Sequence, residues 1–404
     1  MKRWPLLSVV LFALACPACA APGGTVDPKS LDATAEQSAQ AKGLVLQLNS
    51  ASYRERESAT RGLAKMGRLA VPALRAALAT ESSPEVQWRI DLVLPAAEAE
   101  DFKVRLACFQ LDTEGRYEHR LAGWAKFKAV MGNDPSTRAL FTEEVANETY
   151  RKLLLAADRP ADELGAALVT HYDAIHNRKP FVYPTTAEIA ALAFLESLHS
   201  DKAMPLAVPP SHPTADSYLH NKEIQAAMIP GREPGPHAAA LRKILVRWLD
   251  SRETGTGLLQ ALSWSQTWRM PAATARYAAK LLAAGNLYGR SYGLERLGTH
   301  EDGAKYLPQI AKLIDDPAPL QPARPDEMKD DPHGVRLGDF ALGVALLLSG
   351  QKHADYGLEV ADANKYARVQ PGNYYFQDGK DAKADDKRKA AIVTFRAWLA
   401  ERPK

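Results

Sequence analysis

Between Leu44 and Leu94 the chain repeats itself at an offset of thirty residues, and that repeat narrows the possible folds more than any other feature. Superposing the segment from Leu44 on the one from Leu74 aligns Leu48 with Leu78, Glu55 with Glu85 and Leu63 with Val93. Each copy reads as a helix, a polar turn and a second helix. The turns are Asn49-Ser50-Ala51-Ser52 and Ser82-Ser83-Pro84-Glu85, where Ser83 is placed to cap and Pro84 fits the first helical position. Ala59, Leu63, Met66, Val71, Leu74 and Leu78 form the apolar stripe that antiparallel helices would bury against each other. Elsewhere apolar residues recur at helical spacing and alternating Val, Ile and Thr runs are nearly absent. The expected class is all-α.

The run Arg61-Gly62-Leu63-Ala64-Lys65-Met66-Gly67, followed by Ala70-Val71-Pro72-Ala73-Leu74, resembles the HEAT-repeat proteins. There a first helix ends in Leu-x-x-x-Gly and the next opens near a Pro followed by Leu. The resemblance covers about fifty residues, and the thirty-residue offset is shorter than the usual repeat of about 40. It implies an α-solenoid, in one piece or two lobes, that serves as an interaction platform and catalyses nothing itself. Weaker echoes lie in Leu294-Glu-Arg-Leu297-Gly298 with Leu307-Pro308 and in 335–348, within the span 288–350.

The organisation expected from these patterns runs as follows. Residues 1–20 are a signal peptide, 21–38 a linker, 39–100 HEAT-like repeats and 101–201 a helical middle region. Proline and glycine cluster through 202–236, an irregular connection that would separate the lobes, and 237–404 is a C-terminal helical region. In the middle region, helices are expected over 118–131, 138–156, 160–175 and 186–200, with Asp134 or Pro135 capping the second. The apolar residues of 335–348 face nearly all round, which implies a helix buried on several sides. Ala391, Ile392, Phe395 and Leu399 share one face of a closing helix.

Lys2 and Arg3, an apolar run from Trp4 to Ala15 and the small-residue end Ala18-Cys19-Ala20 have the order of a secretory signal, cleaved between Ala20 and Ala21 into a periplasmic or extracellular protein. Lipid attachment at Cys16 is the alternative processing. The run is too short to span a bilayer and no second one follows, so no transmembrane segment is expected. Cleavage removes two of the three cysteines, leaving Cys108 in an apolar stretch with no partner for a disulfide. It also removes Lys2 and Arg3, taking the formal charge from +3 to +1. A near-neutral chain with interspersed signs offers no footprint for nucleic acid.

The residues with chemical potential do not assemble into a motif. Asp378, Asp381, Asp385 and Asp386 lack the alternation and turn glycine of a calcium loop. His171 and His176 are five apart and fall on different faces of a helix, and His212, His220 and His237 match no zinc spacing. No nucleophile elbow or phosphate loop occurs, and Gly255-Thr256-Gly257 lacks the rest of a dinucleotide fingerprint. No catalytic, metal or cofactor set is therefore expected. Trp264 and Trp268, four apart, and Tyr288 and Tyr292, at the same spacing, are the candidate binding surface, with burial in the core as the competing reading. Two functions are open: a scaffold whose partner is another protein, or a helical carbohydrate-active enzyme using that aromatic strip with carboxylates such as Asp173, Glu188 or Asp339.

Overall fold

The computed structural model describes residues 27–178, 182–199, 214–320, 335–360, 369–377 and 383–401. The signal segment, Cys16, His212, Asp378 and Asp381 lie outside them. The described chain is all-α except for one short antiparallel pair, β1 (Glu359–Val360) with β2 (Tyr374–Tyr375), and an isolated bridge between Pro319 and Arg336. Among the described residues no helix is long and apolar enough to cross a membrane. The chain divides between Asp158 and Arg159 into two compact units.

The first unit begins with the repeated segment. Helices α1 (Ala35–Gln47) and α2 (Tyr53–Met66) pack as one pair, and α3 (Val71–Leu78) and α4 (Pro84–Leu111) as the next. The pairs stack first helix on first and second on second. Thr34 starts α1 with a capping box: its hydroxyl accepts from the Gln37 backbone N at 3.2 Å and its own N–H donates to Gln37 Oε1 at 2.9 Å. Ala59, Leu63, Val71 and Leu74 are buried together with Leu48, Val86, Ile90 and Val93. Met66 lies partly buried against them, while Leu78, at the end of α3, stays 37% exposed. Pro84 takes the first helical position as expected, but the Ser83 side chain makes no cap bond. Arg56 ties the two pairs together, bonding the Ser50 carbonyl at 2.8 Å and Glu85 at 2.7 Å.

Gly67 ends α2 at φ +53°, a conformation that favours glycine, and a Cβ there would lie 2.2 Å from Glu100 Oε2. The second helix of the second pair runs well past the repeat, through Pro95 to Leu111. The helix expected over 118–131 is shorter: α5 spans Trp124–Met131, because Gly123 sits at φ +80° and the preceding residues form a loop. The span 138–156 holds two helices, α6 (Pro135–Ala146) and α7 (Glu148–Leu155), parted at Asn147, whose extended backbone and side-chain bond to the Thr149 N–H begin the second. Asp134 caps α6 as expected, at 3.1 Å from the Thr137 N–H.

The second unit contains α8 (Ala161–His176), α9 (Thr186–Leu198), α10 (Ala215–Tyr218), α11 (Lys222–Met228), α12 (Ala238–Asp250), α13 (Gly255–Thr267), α14 (Pro271–Ala284), α15 (Leu287–Gly298), α16 (Leu307–Ile310), α17 (Leu337–Ser349) and α18 (Ala384–Glu401). The described part of segment 202–236, from residue 214 on, belongs to this unit. It forms α10, which packs on α9, and α11, which packs on α12. Helices α13, α14 and α15 pack in succession, and α15 packs on α17. Every residue from Leu337 to Leu346 is buried, as the all-round apolar pattern predicted.

Candidate functional site

The aromatic strip separates into two parts. On α13 the Trp264 and Trp268 rings lie 5.1 Å apart, with His220 4.9 Å from Trp264, but Trp268 is fully buried and Trp264 half-buried. On α15 the Tyr288 and Tyr292 rings stack at 6.2 Å; Tyr288 is 68% exposed, while Tyr292 is half-buried, bonds Gln266 at 3.3 Å and carries Arg296 over its ring at 4.6 Å. The expected four-residue surface is therefore corrected. Trp268 follows the end of α13 into the core, where burial of so large a ring outweighs any gain from leaving it wet.

Two of the carboxylates considered for catalysis, Glu188 and Asp339, are held by cations. Glu188, on α9, shares a 3.0 Å hydrogen bond with His171 and takes both ends of the Arg178 guanidinium. Asp339 receives Arg388 Nε at 2.5 Å and Nη2 at 2.8 Å, and its other role is to accept the Arg336 N–H at the start of α17. Asp173 lies on α8, partly buried. A further carboxylate, Glu196, lies on the same helix two turns after Glu188, and no motif marks it in the sequence. It accepts from the Tyr172 hydroxyl, from Trp248 Nε1 at 2.6 Å and from Arg252. Burial and the adjacent Glu196 charge push the Tyr172 hydroxyl well above the usual phenol range, so it stays a donor. These are buried ion pairs with their lone pairs satisfied, an arrangement that holds helices in place. Among the described residues no group of three or more His, Cys, Asp or Glu could hold a metal ion. Cys108 is buried.

The first unit has an open surface that the sequence reading passed over. A groove of about 620 Å³ lies between α1 and α3, lined by Ala73, Ala76 and Ala77 of α3 and by Val45 and Leu46 of α1. Leu46 is 78% exposed on its edge. The groove meets a second, polar pocket of about 260 Å³, and Ser38 and Pro72 line both. Arg68, Arg105 and Arg120 converge there with Asp32 and Asp101. Arg105 bonds Asp101 at 2.8 Å and Asp32 at 2.9 Å, and Arg120 reaches Asp32 at 2.9 Å. Burial would raise the Asp32 pKa, but the Arg105 hydrogen bond and the Arg120 charge outweigh it and hold the carboxyl below its ordinary range. The signal available in sequence was the run Leu44-Val45-Leu46-Leu48 interrupted only by Gln47: its apolar arc is wider than one partner helix can cover.

Arg120 comes to this pocket on a loop organised by Asp112. That buried carboxylate accepts from the Arg116 and Tyr117 backbone N–H groups at 2.9 and 3.1 Å and from His119 at 2.8 Å. Burial opposes ionisation of Asp112, but the His119 and backbone bonds prevail and lower its pKa. Arg120 itself is held at φ +51°, a left-handed conformation uncommon for any residue but glycine. Such strain, of order 1–3 kcal/mol, persists only where surrounding contacts enforce it.

No family model, no curated protein and no solved structure matches this chain.

Proposed function

We propose that this chain is an exported HEAT-like helical-repeat protein that binds a segment of another protein and performs no chemistry of its own. The observation that carries the reading is the open groove between α1 and α3, in which an alanine lining lets a partner backbone approach closely and Leu46 stands uncovered at the edge. Its volume falls in the range of about 300–1,000 Å³ typical of ligand sites. Two parallel first helices with an apolar trough between them suit an amphipathic helix or extended segment laid along the groove. The thirty-residue repeat and the pairwise stacking of α1 to α4 support the HEAT-like assignment, and the charged, apolar and small-residue order of residues 1–20 supports export. Covering Leu46 fully would contribute about 1.5–3 kcal/mol to association.

The test is crosslinked affinity purification of the C-terminally tagged full chain from its native cells, run beside Leu46→Glu. The expected result is one recurrent partner near equal stoichiometry that the variant fails to retain. Loss of no protein on substitution would overturn the reading. Amino-terminal sequencing of the recovered chain tests the expected start at Ala21.

A further inference from the structure

We infer that the bound segment carries a carboxylate beside its apolar side chains, and that this carboxylate docks among Arg68, Arg105 and Arg120 while the apolar side chains lie in the α1–α3 groove. The inference rests on the groove being a protein-binding site and adds to it the chemistry of the ligand.

Charge and hydrogen-bonding capacity point the same way. Three guanidiniums against two carboxylates leave the pocket one positive charge in excess, and Glu100, which accepts the Arg68 backbone N–H at 3.2 Å, is not among its lining residues. Arg105 is only 12% exposed, and its Nη1 is buried with no hydrogen-bond partner among the described residues, although its Nε and Nη2 are both bonded. A buried donor left unmade is costly, on the order of 1–3 kcal/mol, so Asp32 and Asp101 do not complete the hydrogen bonding of this cluster. Arg120 contributes only Nη1 to Asp32 and is 63% exposed, so it retains donors that face solvent. Guanidinium groups presented together favour a planar anion, bound through two oxygens. The strained backbone of Arg120 and the Asp112 network behind it fix one of these donors before any ligand arrives, which lowers the cost of ordering on binding.

Ser38 and Pro72 line both cavities, so the two adjoin and are close enough for a single extended ligand to place one part in each. A polypeptide fits it better than an acyl chain with a carboxylate head. The trough lies open, with Leu46 exposed along its edge, and a single acyl chain laid there would keep much of its own surface in water. The carboxylate comes from an Asp or Glu side chain or from a C-terminus, and the test separates these.

Random-peptide phage libraries, one displaying free C-termini and one with the C-terminus blocked by fusion, are selected on the full chain. A synthetic representative of the enriched peptides is then titrated by fluorescence anisotropy. The expected peptides combine apolar residues at helical spacing with a carboxylate at one end. Affinity should fall at least about ten-fold when that acid becomes its amide and again with Arg120→Ala, and further with Arg120→Glu. Arg120 is exposed, so unfolding midpoints of these variants should match wild type and exclude misfolding. Enrichment confined to the free-end library assigns a C-terminal carboxylate; enrichment in both assigns a side chain. Peptides that lose affinity with Leu46→Glu but ignore Arg120→Glu and carry no acid would overturn the inference and leave the groove reading standing. No peptide sensitive to Leu46→Glu would overturn both. Dodecanoate binding that depends on Arg120, without peptide enrichment, would overturn the inference in favour of a lipid.

Discussion

Two arginine clusters, one in each unit, are used in opposite ways. In the second unit Glu196 sits inside α9 with Tyr172, Trp248 and Arg252 all donating to it, and Glu188 on the same helix is held by His171 and Arg178. There the cations serve to neutralise carboxylates that the helix carries into its core. In the first unit Arg105 and Arg120 share Asp32, yet one keeps a buried N–H unmade and the other keeps donors in solvent. A buried carboxylate with donors on both oxygens ties helices together, whereas guanidinium donors left facing solvent at an open edge are a ready place for a ligand. Presence of polar residues thus says little about function until their partners are counted.

The sharpest way to break this contrast is to remove a partner from the Glu196 network. Glu196→Ala removes the acceptor that the Tyr172 hydroxyl, Trp248 Nε1 and Arg252 share in the core and should cost about 3–5 kcal/mol in urea unfolding; a loss below about 1 kcal/mol would show that the network does not hold these helices together. Trp268→Ala should cost about 3–5 kcal/mol by the same measurement, since the ring is wholly buried. Leu63→Ala, at the centre of the repeated pairs, should cost about 2–5 kcal/mol, and an unchanged midpoint would show that the two pairs do not share that core.

A smaller effect would sharpen the comparison from within the first unit. Glu144 on α6 is fully buried, and neither carboxylate oxygen has a hydrogen-bond partner among the described residues. Burial, then the charge of Glu143, raises its pKa well above the ordinary carboxyl value, so the folded chain holds this proton more tightly than the unfolded chain. Its contribution is therefore complete at pH below the unfolded carboxyl pKa and is lost as pH rises through the folded value. Denaturation midpoints measured from about pH 4 upward should fall with pH for wild type, and Glu144→Gln should flatten that fall. The smallest effect belongs to Tyr288→Ala, which should change stability by about 0.5 kcal/mol or less because the ring lies mostly in solvent.

Helical periodicity made the class readable, and where the local chemistry was strong the boundaries were readable too. Asp134 capping Thr137, Pro84 opening α4 and the buried stretch Leu337–Leu346 of α17 all followed from residues a few positions apart. Boundaries failed where one residue's backbone overrode the pattern: Gly123 shortened α5, and Asn147 split one expected helix into α6 and α7. The 202–236 segment read as a boundary from its prolines and glycines, yet its described part folds into α10 and α11 on helices from both sides, since short helices with few residues carry little periodicity.

By itself, then, the order of residues determined that this chain is helical, that residues 44–94 repeat at an offset of thirty and that Leu63, Val71 and Leu74 would be buried, because those properties depend on spacing along one chain. Only the tertiary structure decided that Trp268 is core, that Glu196 is locked between helices, and that Arg68, Arg105 and Arg120 converge beside an open groove. Asp32 and Arg120 are 88 residues apart, and no periodicity links residues so distant. Their meeting depends on how helices stack and on where a strained loop turns, quantities that arise from packing and not from spacing.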